Sequence, residues 1–195
     1  MSEVCTTMNM EREKGFTLVE LLITIVVISI LLATAVPAFQ DFIKNNRLTA
    51  QTNEIVSSIQ LARSEAVKRG TNSIVCASSN GTSCSDNKND WVNGWIVFSD
   101  LNQNDAPDTG SSAPLCEDTE DCLLHAANGF SNNTTVTVTA ANTVSEHTLR
   151  FLPTGLASNG GIITFTLEAA DCSNNQKRSI QITLQGHTIV SNATC

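Results

Sequence analysis

From Phe16 to Phe39 the chain reads FTLVELLITIVVISILLATAVPAF, 24 residues whose only ionisable side chain is Glu20. As an α-helix this run is about 36 Å long, enough to cross a hydrocarbon core of about 30 Å. A core helix of a small globular domain keeps one polar face, and this one has none. The stretch predicts a membrane span over residues 16–39. A secretory signal peptide is the competing explanation, but its apolar core normally runs about 7–15 residues and ends at a small-x-small cleavage site. Arg12 and Lys14 directly precede the run, which places the N-terminus on the cytoplasmic side by the positive-inside rule. The remainder would then lie across the membrane.

Cysteine usage agrees with that topology. Cys5 precedes the span, and Cys76, Cys84, Cys116, Cys122, Cys172 and Cys195 follow it. Six on the translocated side is an even number, as a disulfide framework requires. Six cysteines allow 15 connectivities, and the spacing of near neighbours suggests 76–84, 116–122 and 172–195. A zinc site is disfavoured, because no CxxC pair occurs and no His stands at ligand spacing to a Cys.

Residues 40–70 contain no proline and end on Gly70, a helix-stop signal. Leu48, Thr52, Ile55, Ile59, Ala62 and Ala66 recur at alternating steps of four and three, one face of an amphipathic helix. Joined to the span, this makes one helix from about residue 17 to 70, with Pro37 inside it as a kink. From residue 71 the vocabulary changes to strands and turns. Period-two and β-branched runs predict strands at 73–77, 94–98, 134–139, 147–152, 162–167, 179–184 and 187–190. Gln185-Gly186 marks a hairpin between the last two, and residues 78–90 and 101–121 read as loops.

The charge balance excludes several functions. Residues 71–195 hold 12 acids and 4 bases, a net of −8, and nine of those acids fall between Asp86 and Asp121. A general nucleic-acid binder carries a net basic face instead. No GxSxG elbow, P-loop or HExxH occurs, and His125, His147 and His187 are far apart, so no catalytic residue is expected. Asp100-Leu101-Asn102-Gln103-Asn104 begins like a calcium loop, but Asp105 stands where Gly is needed and Ser111 where the closing Glu should be. The expectation is an Asx-rich turn, with no metal and no cofactor. The acidic segment Cys116–Cys122 reads as a solvated loop.

One motif is far more specific. Lys14-Gly15-Phe16-Thr17-Leu18-Val19-Glu20 is a charged leader, then Gly, Phe, and an apolar helix with a lone Glu four residues after the Phe. Here the chain resembles the type IV pilin and type II secretion pseudopilin superfamily. The resemblance implies that a membrane prepilin peptidase cuts between Gly15 and Phe16 and methylates the new amine of Phe16. It also implies that Glu20 guides subunit assembly and that Pro37 marks the family's kink. Trp91-Val92-Asn93-Gly94-Trp95-Ile96-Val97-Phe98-Ser99-Asp100 and Phe151-Leu152-Pro153-Thr154-Gly155 resemble the H-type minor group, which includes FimT and FimU, and look closest to the FimU type. Trp91 and Trp95 themselves read as core and turn packing.

The implied fold is α+β: a long N-terminal helix packed on a C-terminal domain of two antiparallel β-sheets. The implied organisation is a leader at 1–15, a transmembrane helix at 16–39, its amphipathic continuation at 40–70 and a disulfide-bonded β domain at 71–195. The implied role is structural: a minor pilin that helps start a pilus and sits near its tip, anchored in the inner membrane with its β domain periplasmic before assembly. Its partners would be other minor and major pilins or pseudopilins and the prepilin peptidase, with no small-molecule substrate. A type II secretion pseudopilin is the alternative of the same build. A FimT-like DNA receptor for natural transformation is the alternative of another class. DNA-binding tails of that kind carry Gly-Arg-x-Arg, where this chain has Gly186-His187-Thr188-Ile189, so DNA is not an expected partner.

Overall fold

The computed structural model describes residues 15–108, 121–130, 134–141, 146–158, 161–173 and 175–195. One helix, α1, runs from Leu18 to Arg69. Thr17 starts it: its carbonyl accepts the Leu21 N–H at 3.1 Å and its hydroxyl accepts the Glu20 N–H at 3.2 Å, an N-cap that satisfies donors the first turn cannot. Gly70 stops it in the left-handed region (φ 69°), donating its N–H to the Ala66 carbonyl at 3.0 Å. Pro37 lies inside the helix, which continues past it.

The chain divides into two compact units, one ending at Phe42 and one spanning Ile43–Cys195. In the second unit α1 buries Leu48, Thr52, Ile55, Ile59, Ala62 and Ala66, the face that the four-and-three spacing predicts. Burying a Leu or Ile contributes about 1.5–3 kcal/mol, so Leu48, Ile55 and Ile59, at most 1% exposed, make this face the spine of the domain.

Ser58 and Glu65 are buried beside that face. Glu65 is tolerated because Arg69 Nε and Lys68 Nζ donate to its two oxygens at 2.7 and 3.0 Å. The Arg69 hydrogen bond holds the Glu65 carboxyl below its ordinary value against the opposing effect of burial, and Lys68 adds to it. A depressed folded-state pKa means the stabilisation is present above the unfolded value of 4.5 and is lost as pH falls through the folded one. Wild type should therefore exceed Glu65→Gln in melting temperature near neutrality, with the gap closing on acidification below about pH 4.5. A gap that stays constant with pH would mean that packing, not charge, holds Glu65 in place.

Among the described residues, eight strands follow the helix. They are β1 (Asn72–Ala77), β2 (Gly94–Asp100), β3 (Cys122–Asn128), β4 (Thr134–Ala140), β5 (Thr148–Phe151), β6 (Ile163–Ala169), β7 (Lys177–Ile182) and β8 (Thr188–Ala193). They form two four-stranded sheets, ordered β3-β2-β1-β5 and β4-β6-β7-β8, and every pairing is antiparallel. Side chains of both sheets and the buried face of α1 share one apolar cluster, including Val75, Val97, Leu149, Phe165 and Ile180. Both tryptophans belong to it. Trp91 packs edge-on against Phe165, centroids 4.8 Å apart, and donates Nε1–H to the Glu146 carbonyl at 2.9 Å; Trp95 lies 5.1 Å from Phe130.

Differences from the sequence-based strands have local causes. β3 was not expected: CLLHAAN neither alternates nor carries a β-branched residue, and it is a strand because β2 offers it an edge, with Ser99 opposite Cys122 and Gly94 opposite Asn128. The strand expected at 179–184 runs instead over Lys177–Ile182. Its last two residues are taken by the turn, in which Gly186 donates to the Thr183 carbonyl at 2.8 Å with φ 73°. A side chain could not replace Gly186, since a Cβ there would sit 2.4 Å from the Gly155 carbonyl oxygen. Arg63 holds this corner to the helix, donating Nε–H to the Gly155 carbonyl at 3.0 Å and NH2 to the Gln185 carbonyl at 3.2 Å.

Candidate functional site

The site that the sequence singles out is the start of α1. Gly15 and Phe16 precede the helix and are exposed, Phe16 to 83%. A Cβ built on Gly15 meets nothing within 4 Å. The Gly15–Phe16 bond is thus non-helical, and among the described residues nothing covers it. Thr17 is the cap, which puts Glu20 in the first turn, where the positive end of the helix dipole favours a carboxylate. Thr17-Leu18-Val19-Glu20 is the spacing of a capping box. Helix initiation and the placing of Glu20 are therefore one local feature.

Residues 15–42 are exposed throughout, among them Leu22, Ile28, Leu31 and Phe39. The helix is long and apolar enough to cross a membrane. Its hydroxyls suit such a medium: Thr24, Ser29 and Thr34 donate to the carbonyls of Leu21, Val26 and Leu31 at 2.8, 2.7 and 3.0 Å. Hydroxyls paired within their own helix leave no donor to desolvate. Within residues 16–39 Glu20 remains as the one ionisable group that hydrocarbon would penalise. A surface apolar all round needs a bilayer or other helices to cover it. The sequence placed Gly15, Phe16, Glu20 and Pro37 on this segment, and all four lie on it or at its head.

The disulfides form a second, separate group. Cys76 bonds Cys84, Cα atoms 5.5 Å apart, and Cys172 bonds Cys195 at 5.8 Å. Both pairings match the near-neighbour expectation. Cys122 is disulfide-bonded, and Cys116 lies outside the described residues. The first bridge ties buried Cys76 of β1 to the loop beyond it; the second ties the last residue to the β6–β7 connection.

A third group is one that sequence reasoning set aside. The Asx-rich turn after β2 is present: Asn102 Oδ1 accepts the Asn104 N–H at 3.1 Å, and Asn104 Oδ1 accepts the Ala106 N–H at 2.8 Å. At its centre are two buried carboxylates, Asp100 (0% exposed) and Asp121 (1%). Burial raises the Asp100 carboxyl above its ordinary value, and the charge of Asp121 adds to it, against the Asp105 and Asn104 amides.

Residues 51–186 match the family described as type II transport protein GspH, and residues 10–36 match the prokaryotic N-terminal methylation motif. A fimbrial protein of Pseudomonas aeruginosa is 39% identical over 61 residues, which cover 31% of this chain and 39% of that protein. The type IV major alpha-pilin of Moraxella bovis is 46% identical over 48 residues, covering 25% of this chain and 30% of that protein. This chain thus spans well under half the length of these curated relatives. Among solved structures, the type IV minor pilin FimU of Pseudomonas aeruginosa has the same fold, with a TM-score of 0.51 at 21% identity, covering 77% of this chain and 92% of that one.

Proposed function

The chain belongs to the GspH family, and from that premise we propose that it is a minor pilin of the type IV pilus: a structural subunit that helps initiate assembly and resides at or near the tip. One observation carries the reading. A helical segment apolar on every face over residues 16–39, and exposed there, begins at a capped turn that carries the only ionisable side chain of that segment, Glu20, and stands directly after a Gly-Phe bond inside a methylation motif. Such a segment suits a subunit stored in a bilayer and then moved into a bundle of like helices, and no chemistry is asked of the β domain. The prepilin peptidase would cut after Gly15 and methylate Phe16. The subunit would wait in the inner membrane with residues 71–195 in the periplasm, and its partners would be other pilins. As in the family, the role is structural and not enzymatic.

A second reading has its own support. The family's description names type II transport, and a pseudopilin of a secretion system uses the same assembly logic. A DNA receptor has less. Lys177 pairs with Glu168 at 3.2 Å, and Arg178 NH1 donates to the carbonyls of Asn175 and Lys177 at 2.6 and 3.1 Å, so the basic pair near the tail is engaged within its own domain.

The test is a deletion strain assayed together for twitching, protein secretion and transformation. Loss of twitching, restored by the wild-type gene, is the expected result. Loss of secretion with intact twitching would assign the protein to the secretion apparatus. The purified full-length protein in detergent should also fail to shift duplex DNA at moderate salt; a shift that weakens steeply as salt rises would favour the receptor instead.

A further inference from the structure

The loop after β2 has a fully buried carboxylate oxygen with no partner. Asp100 is 0% exposed, its Oδ1 accepts the Asn104 N–H at 3.1 Å, and its Oδ2 has no hydrogen-bond partner. Leaving a buried carboxylate oxygen bare costs more than almost any other polar arrangement. The surroundings are anionic as well. Ser99 of β2 pairs with Cys122 of β3, so Asp100 at the end of β2 and Asp121 just before β3 lie at the same end of this strand pair. Asp121 Oδ1 accepts the Leu101 N–H at 2.8 Å and its Oδ2 accepts the Asp108 N–H at 3.3 Å. The amides of residues 101, 104 and 108 thus all donate to these two carboxylates.

We propose that this loop binds a calcium ion, with Asp100 Oδ2 as the anchoring ligand and Asp121 as the second carboxylate. Hard cations of this kind take six to eight oxygens from carboxylates, Asn carbonyls, backbone carbonyls and water. In the common twelve-position calcium loop, positions 1, 3 and 5 offer side-chain oxygens, position 7 a backbone carbonyl, and position 6 is a glycine for the sharp turn. Asp100, Asn102, Asn104 and Ala106 fall on positions 1, 3, 5 and 7.

Asp105 stands at the glycine position and makes the same turn, with φ 64°. Its carboxylate forms a salt bridge with Arg150. The residue that argued against a calcium loop from sequence thus adopts the conformation such a loop needs. Asp121, brought in by β3, supplies a carboxylate from outside the twelve positions. Among the described residues no third His, Cys, Asp or Glu completes a cluster. The remaining ligands would be amide and carbonyl oxygens and water, which suits calcium and not zinc.

The test is thermal unfolding of the full-length protein in detergent, followed by tryptophan fluorescence, in chelator and then in calcium chloride. Wild type should gain roughly 5–10 °C at about a hundredfold excess over the dissociation constant, with a much smaller gain in magnesium chloride. Asp100→Asn keeps an oxygen for the Asn104 amide and removes the charge. It should fold, melt at or above the wild-type temperature in chelator, and lose the calcium response; Asp121→Asn should lose the response as well. No shift of wild type in millimolar calcium would overturn the proposal. So would an undiminished shift in Asp100→Asn, or equal shifts with calcium and magnesium in wild type and variant alike, which is charge screening.

Discussion

Glu20→Ala should leave leader processing and β-domain folding intact and reduce the subunit's incorporation into filaments on the order of tenfold or more. Cleavage after Gly15 would free an amine on Phe16, which stays cationic when methylated. Glu20 lies four residues further on, about one helical turn, so the two charges share one depth. Because Thr17 is the cap, Phe16 lies just before the helix and Glu20 within its first turn. When helices pack side by side, a neighbour's amine becomes a partner for Glu20 at that depth. A carboxylate in hydrocarbon costs about 2.5–3.5 kcal/mol on insertion scales, so pairing selects one axial register for the incoming subunit. The loss of the helix-dipole contribution in the single chain is smaller, about 0.3–1 kcal/mol. Folding should therefore survive a change that assembly does not.

Glu20→Gln separates charge from shape. It keeps the side-chain length and the hydrogen-bonding end, and should assemble nearly as poorly as the alanine variant. The measurement is the amount of subunit in sheared filaments relative to its amount in the inner membrane. Wild-type incorporation of both variants would show that Glu20 is a tolerated membrane acid with no part in assembly.

Removing the Cys172–Cys195 bridge, with both cysteines changed to serine, should lower stability by roughly 3.4 kcal/mol by chain-entropy arithmetic for its separation of 23 residues. At about 2–4 °C per kcal/mol for a chain of this size, the melting temperature should fall by roughly 7–14 °C. The bridge closes the chain around β7 and β8. β8 is an edge strand whose Ile189 and Val190 are about half exposed, so packing contributes little to hold it. Its ladder to β7, from Lys177 opposite Ala193 to Ile182 opposite Thr188, should fray first. Amide exchange in the double variant should accelerate in β8 before β1 or β2. Uniform acceleration across both sheets would mean that the bridge stabilises the domain as a whole and not this edge.

Much of this was readable without coordinates, for identifiable reasons. The buried face of α1 was legible because its period repeats over residues 48–66 and Gly70 ends it. β6 and β7 were legible because every second side chain is apolar. The 76–84 and 172–195 pairings were legible because near neighbours in a short domain tend to pair. β3 was not, since CLLHAAN has no period-two pattern and exists as a strand only through β2. The burial of Glu65 was hidden as well, since a Glu near the end of an amphipathic helix usually points to water.

The sequence alone determined what is local. The apolar run, the Thr17-to-Glu20 cap, the Gly70 stop and the β-branched alternation each draw their free energy from residues within one turn or one strand. Pairings between distant segments were settled only by the tertiary structure. The orders β3-β2-β1-β5 and β4-β6-β7-β8 depend on which edges meet across a shared core, and no pairwise pattern in the chain encodes them. The same holds for the Asp100 loop. Residues 100–105 looked like a faulty calcium loop because the chain shows only that Asp105 is not glycine. The fold holds Asp105 in a left-handed turn with Arg150 against it, and sets Asp121, just before β3, close enough for its charge to act on Asp100, whose Oδ2 has no partner. The energy that sets those positions comes from the packed sheet, which a reading of neighbouring residues does not contain.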